Sequence, residues 1–167
     1  DQHRHDILGC AGHPLVQTPH LDAIASEGVR FTKTWCQSPI CQPSRTSVIT
    51  GRYAHEIGVT HNTGGFDPEW PTVMKQLQVA GYDTATIGKT HYHESYQPPK
   101  ADGEIDMRSK EGFVKSFGWD YVLEEYDKYL HAARRLTTPY TEHLSEHGML
   151  DEYRAQIKGA VGCAVSC

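Results

Sequence analysis

The strongest constraint on the fold is a recurring order of elements, in which a helix closes at a glycine and a short strand follows. One helix is predicted to begin at Pro19, because proline fits the first helical turn, and to end at Gly28. A second runs from Pro71 to Gly81, and residues 82–87 (YDTATI) then form a strand. This alternation predicts crossover connections, and therefore an α/β fold with a mainly parallel sheet flanked by helices.

Further elements are predicted on both sides of this unit. Alternating β-branched and aromatic residues predict strands at 29–35 (VRFTKTW) and 119–123. Helices are predicted over 138–148 and 151–157, and the polar segment 95–110 is predicted to be a loop. Because sites in parallel sheets form beyond the carboxyl ends of the strands, residues that directly follow strands are the first candidates for function.

Charge and hydropathy limit the kinds of partner that this chain is expected to bind. The 16 basic and 21 acidic residues are mixed along the chain, with a formal net charge of -5 and no basic block, so no nucleic-acid partner is expected. No run of about 18 apolar residues occurs, so no membrane span is predicted. Five cysteines are an odd number, so they do not identify the compartment. The 11 histidines are expected to be mostly surface or loop residues.

The segment that carries chemistry is CQPSR, at residues 41–45. A helix is predicted to begin at Pro43 or Ser44, because proline disfavours helical geometry in the residue before it. Cys41 then lies at a helix entrance, where unpaired backbone N–H groups favour an anion. Arg45 is one turn into the helix and can offer two N–H groups to an oxyanion. A nucleophile beside an anion-binding cation suits attack on a sulfate or phosphate ester.

The longer segment CQPSRTSVITGR, at residues 41–52, resembles the sulfatase family of the alkaline-phosphatase-like superfamily. Its pattern is C-x-P-S-R followed, after four residues, by T-G-R. Residues 18–31 are similar to the family segment that precedes the nucleophile, and residues 88–91 (GKTH) to its G-K-x-H element. The resemblance implies an incomplete alkaline-phosphatase-like fold that lacks the first strand and the C-terminal half. Residues 1–167 would form the N-terminal part of a single sulfatase catalytic domain.

The resemblance also implies roles for single residues. Cys41 would be oxidised to formylglycine by a formylglycine-generating enzyme, and its hydrate would be both nucleophile and metal ligand. Arg45 would support that hydrate, and Lys89 and His91 would contact the sulfate or the hydrated aldehyde. Asp1 matches the first acidic ligand of a Ca²⁺ or Mg²⁺ ion.

The implied activity is hydrolysis of a sulfate ester on a small molecule or carbohydrate. At the position after Asp1 many members carry a second aspartate, whereas this chain has Gln2, as one branch of the family does. The family's later metal ligands and its leaving-group acid match no residue before Cys167. We therefore expect both ends to be truncated, and the 167-residue chain to be inactive alone.

Three alternatives stay open at this point. A phosphonate monoester or phosphodiester hydrolase of the same superfamily shares the Cys-x-Pro-x-Arg core, although Ser44 favours a sulfatase. A thiol hydrolase would use unmodified Cys41 with a histidine base. The chain could also be a non-catalytic fragment.

Overall fold

The structure is a computed structural model that describes residues 3–62, 65–93, 105–125 and 136–165. The chain divides into two compact units at Cys36, and each unit is described separately. None of the described helices is long and apolar enough to cross a bilayer.

The first unit contains a 3₁₀ turn at Gly9–Ala11 and helix α1 at Pro19–Glu27. The Asp22 carboxylate joins the two elements, because its Oδ1 accepts the Cys10 N–H at 2.7 Å and the Thr18 hydroxyl at 2.9 Å. The hydrogen bond from the Cys10 N–H is the main cause of a lowered pKa at Asp22. The predicted start of this helix at proline is confirmed, as is its end before Gly28.

The predicted strand at 29–35 is wrong. The segment has no regular secondary structure, and none of the described strands pairs with it. A strand exists only when its N–H and C=O groups bond to a neighbouring strand, so alternation of side chains is not sufficient. The side chains of Val29, Phe31 and Trp35 are exposed.

The second unit holds the remaining described elements. Its helices are α2 (Cys41–Thr50), α3 (Val73–Val79), a 3₁₀ turn (Met107–Lys110), α4 (Glu111–Lys115), α5 (Pro139–Glu146) and α6 (Leu150–Val165). Its strands are β1 (Ala85–Gly88), β2 (Ile105–Asp106), β3 (Tyr121–Glu124) and β4 (Leu136–Thr137). β1 pairs with β3 and β2 with β4, and both pairs are parallel. The predicted α/β class with a parallel sheet is confirmed.

Several element boundaries differ from the sequence prediction; β1, for example, was predicted at 82–87 and lies at Ala85–Gly88. Helix α2 begins at Cys41, because Pro43 occupies the third helical position, where no intrahelical N–H is needed. The first bonded amide is that of Ser44, which donates to the Ile40 carbonyl at 3.0 Å. The prediction of a loop over 95–110 is wrong for residues 105–110, which form β2 and a 3₁₀ turn. The earlier part of that segment lies outside the described residues.

An aromatic cluster fixes the segment that follows β1. Phe66 stacks on Phe117 with ring centroids 4.8 Å apart, and Tyr92 meets Phe117 edge-on at 5.1 Å. Phe117 is fully buried, and Met74, which belongs to the same core, is almost fully buried. Burial raises the pKa of Tyr92 to about 12, so its hydroxyl stays neutral at physiological pH. The cluster therefore anchors the chain directly after Lys89.

Asp120 ties the start of β1 to the start of β3, and its replacement by asparagine should lower the Tm at neutral pH. Its carboxylate accepts the Thr84 N–H and hydroxyl, each at 2.8 Å, and the Gln78 side-chain amide at 2.7 Å. These bonds, the Thr84 N–H first, hold the pKa of Asp120 below its usual value. A lowered folded-state pKa stabilises the fold above the unfolded pKa of about 3.9, and this contribution disappears as the pH falls through the folded value.

Thermal unfolding at several pH values tests this prediction, with Asp83→Asn as the control, since Asp83 is an exposed neighbouring aspartate. The Tm difference between the native protein and Asp120→Asn should shrink below about pH 4. A difference that is constant over pH would contradict the assignment.

Candidate active site

Cys41 is the first residue of helix α2 and is half-buried. The residue before it, Ile40, has extended backbone (φ -105°, ψ 140°) and turns the chain into the helix. The next residue, Gln42, is fully buried and donates its N–H to Asn62 Oδ1 at 2.9 Å and its side-chain amide to the Tyr92 carbonyl at 3.2 Å. The helix entrance is thus joined both to the loop after α2 and to the segment after β1.

Lys89 reaches Cys41 from the carboxyl end of β1. Its Nζ lies 3.8 Å from Cys41 Sγ, although the two residues are 48 positions apart. Arg45, one turn into α2, donates from Nη1 to the Lys89 carbonyl. Arg45 therefore binds the backbone that carries Lys89 and ties the helix to the end of the strand.

The two cations make the surroundings of Cys41 favourable for an anion. Opposite unit charges about 4 Å apart attract each other by about 4 kcal/mol at an effective dielectric constant of about 20. The ammonium of Lys89 lies beside Cys41 at the amino end of α2, whose backbone N–H groups add partial positive charge, and the guanidinium of Arg45 contacts the Lys89 carbonyl. This arrangement suits a sulfate or phosphate group bound against residue 41.

A buried carboxylate holds the loop that carries Lys89. Glu124, the last residue of β3, pairs in register with Gly88 and is 4% exposed. Its Oε1 accepts the N–H of Thr90 at 3.0 Å and that of His91 at 3.4 Å, and lies 3.8 Å from His93 Nε2. His91 is itself buried and has a left-handed backbone (φ 57°), which is unusual outside glycine. Glu124 thereby supports a strained turn at the site.

Replacing Glu124 with alanine is expected to lower the free energy of unfolding by about 2–4 kcal/mol, because two buried N–H groups lose their acceptor. Glu124→Gln keeps an acceptor oxygen at the same place and should lose clearly less. Urea unfolding of both variants measures the two effects. Equal losses in the two variants, or none in Glu124→Ala, would contradict a clamp built on these hydrogen bonds.

Among the described residues, no group of three or more His, Cys, Asp or Glu side chains that could hold a metal ion includes Cys41. Cys41 Sγ contacts the ammonium of Lys89, whose positive charge disfavours a metal ion beside it. Ca²⁺ and Mg²⁺ take mainly carboxylate and carbonyl oxygens. The predicted ligand Asp1 lies outside the described residues, so its part in a metal site stays a prediction.

Of the residues predicted from the sequence, the structure brings Cys41, Arg45 and Lys89 together. His91 lies on the same segment as Lys89, and the catalytic role of each residue stays a prediction. Sequence reasoning missed Glu124. The signal was present, because Glu124 follows the predicted strand at 119–123, and residues that directly follow strands are candidates for function in a parallel sheet.

The chain is similar to known proteins over part of its length. It is 43% identical over 91 residues to the N-acetylglucosamine-6-O-sulfatase of Bacteroides thetaiotaomicron, a match that covers 54% of this chain and 16% of that protein. It also resembles the solved structure of BT4656 in complex with its substrate D-glucosamine-2-N,6-O-disulfate, with a TM-score of 0.53 and 40% identity. That likeness covers 60% of this chain and 20% of the other.

A third likeness supports the fold alone. The phosphonate monoester hydrolase of Agrobacterium radiobacter is 24% identical, with a TM-score of 0.56 over 80% of this chain and 26% of that chain. The chain thus spans about a quarter or less of the proteins it matches here. The family model for sulfatases matches residues 1–158, nearly the whole chain. With its alkaline-phosphatase-like α/β fold, this chain belongs to the sulfatase family.

Proposed function

We propose that this chain is the nucleophile-bearing, N-terminal part of a single sulfatase catalytic domain that hydrolyses sulfate esters after oxidation of Cys41 to formylglycine. The observation that carries the proposal is the 3.8 Å approach of Lys89 Nζ to Cys41 Sγ at the entrance of α2. A cation beside a helix N-terminus is suited to a tetrahedral anion. The membership of the sulfatase family identifies sulfate as the first anion to test.

In the proposed reaction, one hydroxyl of the hydrated aldehyde at position 41 attacks the sulfur atom. The S–O bond to the alcohol breaks, and the alcohol leaves with a proton. The second hydroxyl then loses its proton, the bond between carbon and the sulfate oxygen breaks, and sulfate leaves as the aldehyde re-forms. Water adds to the aldehyde to restore the hydrate. The net change is hydrolysis of one ester by one water molecule.

Two residues have defined parts in this scheme. Lys89 stabilises the negative charge on the transferring sulfate group, because its ammonium lies beside Cys41 Sγ, the atom whose place the attacking hydroxyl would take. Arg45 donates to the Lys89 carbonyl and adds a second positive charge near that residue. His91 is proposed to contact the sulfate or the hydrate. Ca²⁺ or Mg²⁺, with Asp1 and position 41 among its ligands, would polarise the sulfate when bound.

The substrate is proposed to be a sulfated small molecule or carbohydrate. The relative from Bacteroides thetaiotaomicron is named for a 6-sulfated N-acetylglucosamine, and BT4656 was solved with a sulfated glucosamine. A sulfated amino sugar is therefore the first substrate to assay. The family's later metal ligands and leaving-group acid match no residue of this sequence, and the chain spans 16% of the Bacteroides thetaiotaomicron relative, so we expect the 167-residue chain alone to be inactive.

The mass of the tryptic peptide 34–45, after co-expression with a formylglycine-generating enzyme, tests the modification. This peptide contains both Cys36 and Cys41, so Cys36 is an internal control for ordinary thiol chemistry. We expect an aldehyde at Cys41 and an intact thiol at Cys36. Two intact thiols, under conditions that convert a known substrate, would contradict the proposal and favour a thiol hydrolase or a non-catalytic fragment.

A phosphonate monoester or phosphodiester hydrolase is the second candidate. Lys89 and Arg45 provide positive charge, which attracts any tetrahedral oxyanion and does not by itself distinguish sulfate from phosphate. The two candidates are separated by kcat/KM on paired aryl sulfate, phosphonate monoester and phosphodiester substrates that share one leaving group. Preference for the sulfate supports the sulfatase, and preference for either phosphorus ester supports the alternative.

A further inference from the structure

A cluster of metal-ligating side chains lies on an element that takes no part in the candidate active site. His143, Glu146 and His147 lie at the carboxyl end of helix α5, and all three are exposed. One ligand atom from each of them lies within 4.8 Å of those from the other two. Because the spacing is i, i+3 and i+4, the three side chains project from the same helix face.

The tautomer of His147 suits metal binding. Its Nδ1 lies 2.8 Å from the His143 backbone carbonyl, which can only accept a hydrogen bond. Nδ1 therefore carries the hydrogen, and the lone pair of the neutral ring is on Nε2. Histidines that bind metals usually donate their other ring N–H to a carbonyl or carboxylate in this way, which fixes the direction of the coordinating nitrogen.

The two imidazoles also lie close enough to share an ion. The ring centroids of His143 and His147 are 4.3 Å apart and the planes are inclined at 43°. Ligand atoms around a tetrahedral ion at about 2.1 Å are about 3.4 Å from one another, so rotation of these exposed side chains must bring the ligand atoms closer together than the 4.8 Å within which they now lie. The last turn of a helix carries partial negative charge from its carbonyl groups, which favours a cation.

We propose that His143, Glu146 and His147 form a surface site for a borderline divalent transition-metal ion of the zinc class. Two imidazole nitrogens and one carboxylate oxygen are a donor set that Zn²⁺ takes, whereas Ca²⁺ and Mg²⁺ select oxygen ligands alone. Three protein ligands leave one position for water. The bound ion links the last turn of α5 to its capping residue His147, just before the left-handed Gly148 (φ 67°) that leads to α6.

Calorimetric titration of Zn²⁺ into the complete 167-residue chain tests the site. The thiols are first alkylated and Ca²⁺ is present in excess, so that neither cysteine sulfur nor a hard-cation site takes the zinc. We expect one bound ion per chain, and an affinity that falls at least about tenfold in His143→Ala and in His147→Ala. Alanine has a high helix propensity, so circular dichroism should show the helix content retained. His20→Ala is the matched control, since His20 is also an exposed helical histidine.

Two results would overturn the proposal. One is the absence of zinc binding by the folded chain. The other is binding that His143→Ala and His147→Ala leave as tight as in the native sequence, which would place the ion elsewhere. Neither result bears on the proposed sulfatase activity, because Cys41 is alkylated in this experiment and no turnover is measured.

Discussion

Replacing Cys41 with serine is expected to lower steady-state hydrolysis of sulfate esters, by the sulfatase domain that contains this chain, by about a thousandfold or more. A serine hydroxyl can still attack sulfur, since it occupies the same place at the entrance of α2. It has no second hydroxyl on the same carbon, however, so the sulfate cannot be expelled with formation of an aldehyde. The covalent sulfate ester must then wait for direct attack by water, which is slow.

This prediction is checked by two measurements on the same sample. Multiple-turnover rates give the loss of activity, and the mass of the peptide 34–45 shows whether a sulfate group stays on the introduced serine. Cys36→Ser is the control, because Cys36 is an exposed thiol in the same peptide and should leave the rate unchanged. Full turnover by Cys41→Ser would contradict the formylglycine mechanism. An equal loss in Cys36→Ser would show that the effect does not depend on position 41.

Replacing Lys89 with methionine is expected to lower kcat by about 10²–10³-fold, the cost commonly seen when one charge-stabilising donor is removed from a transition state. Methionine keeps most of the length and the apolar stem of lysine, so the loop packing should survive. What is lost is the ammonium 3.8 Å from the atom at position 41. Because charge develops on the sulfate group as the ester breaks, the effect should be larger on kcat than on KM.

Steady-state kinetics of Lys89→Met measures this effect, and Lys115→Met is the matched control. Lys115 is exposed and forms an i,i+4 ion pair with Glu111 at 2.7 Å. Such a surface pair contributes little to stability, so its loss should change neither Tm nor kcat appreciably. A change in KM alone for Lys89→Met would indicate that Lys89 contributes only to substrate binding. An unchanged kcat/KM would remove Lys89 from the site.

Some residues of the candidate site were identified from the sequence, whereas some of their contacts were not. The CQPSR segment indicated a nucleophile at Cys41 beside the cation Arg45, and the resemblance to the sulfatase family added Lys89 to the same site. That Arg45 would bind the Lys89 carbonyl was not visible in the pattern, which indicated only that its guanidinium could turn toward the helix entrance. Glu124 had a weaker signal, because an acidic residue at a strand end is usually exposed to water.

The sequence by itself determined the local elements and the chemistry available at position 41. Helix α1 begins at its proline, and the helices α2 and α3 are followed by glycines in the left-handed region, because capping and backbone sterics act over a few residues. Only the tertiary structure decided which strands exist and which side chains meet. The alternating segment 29–35 has no pairing strand among the described residues, whereas β1 and β3 pair across more than 30 intervening residues. Lys89 contacts Cys41, and Glu124 is buried against two backbone N–H groups, only because segments distant in sequence pack together. No local sequence pattern encodes this packing.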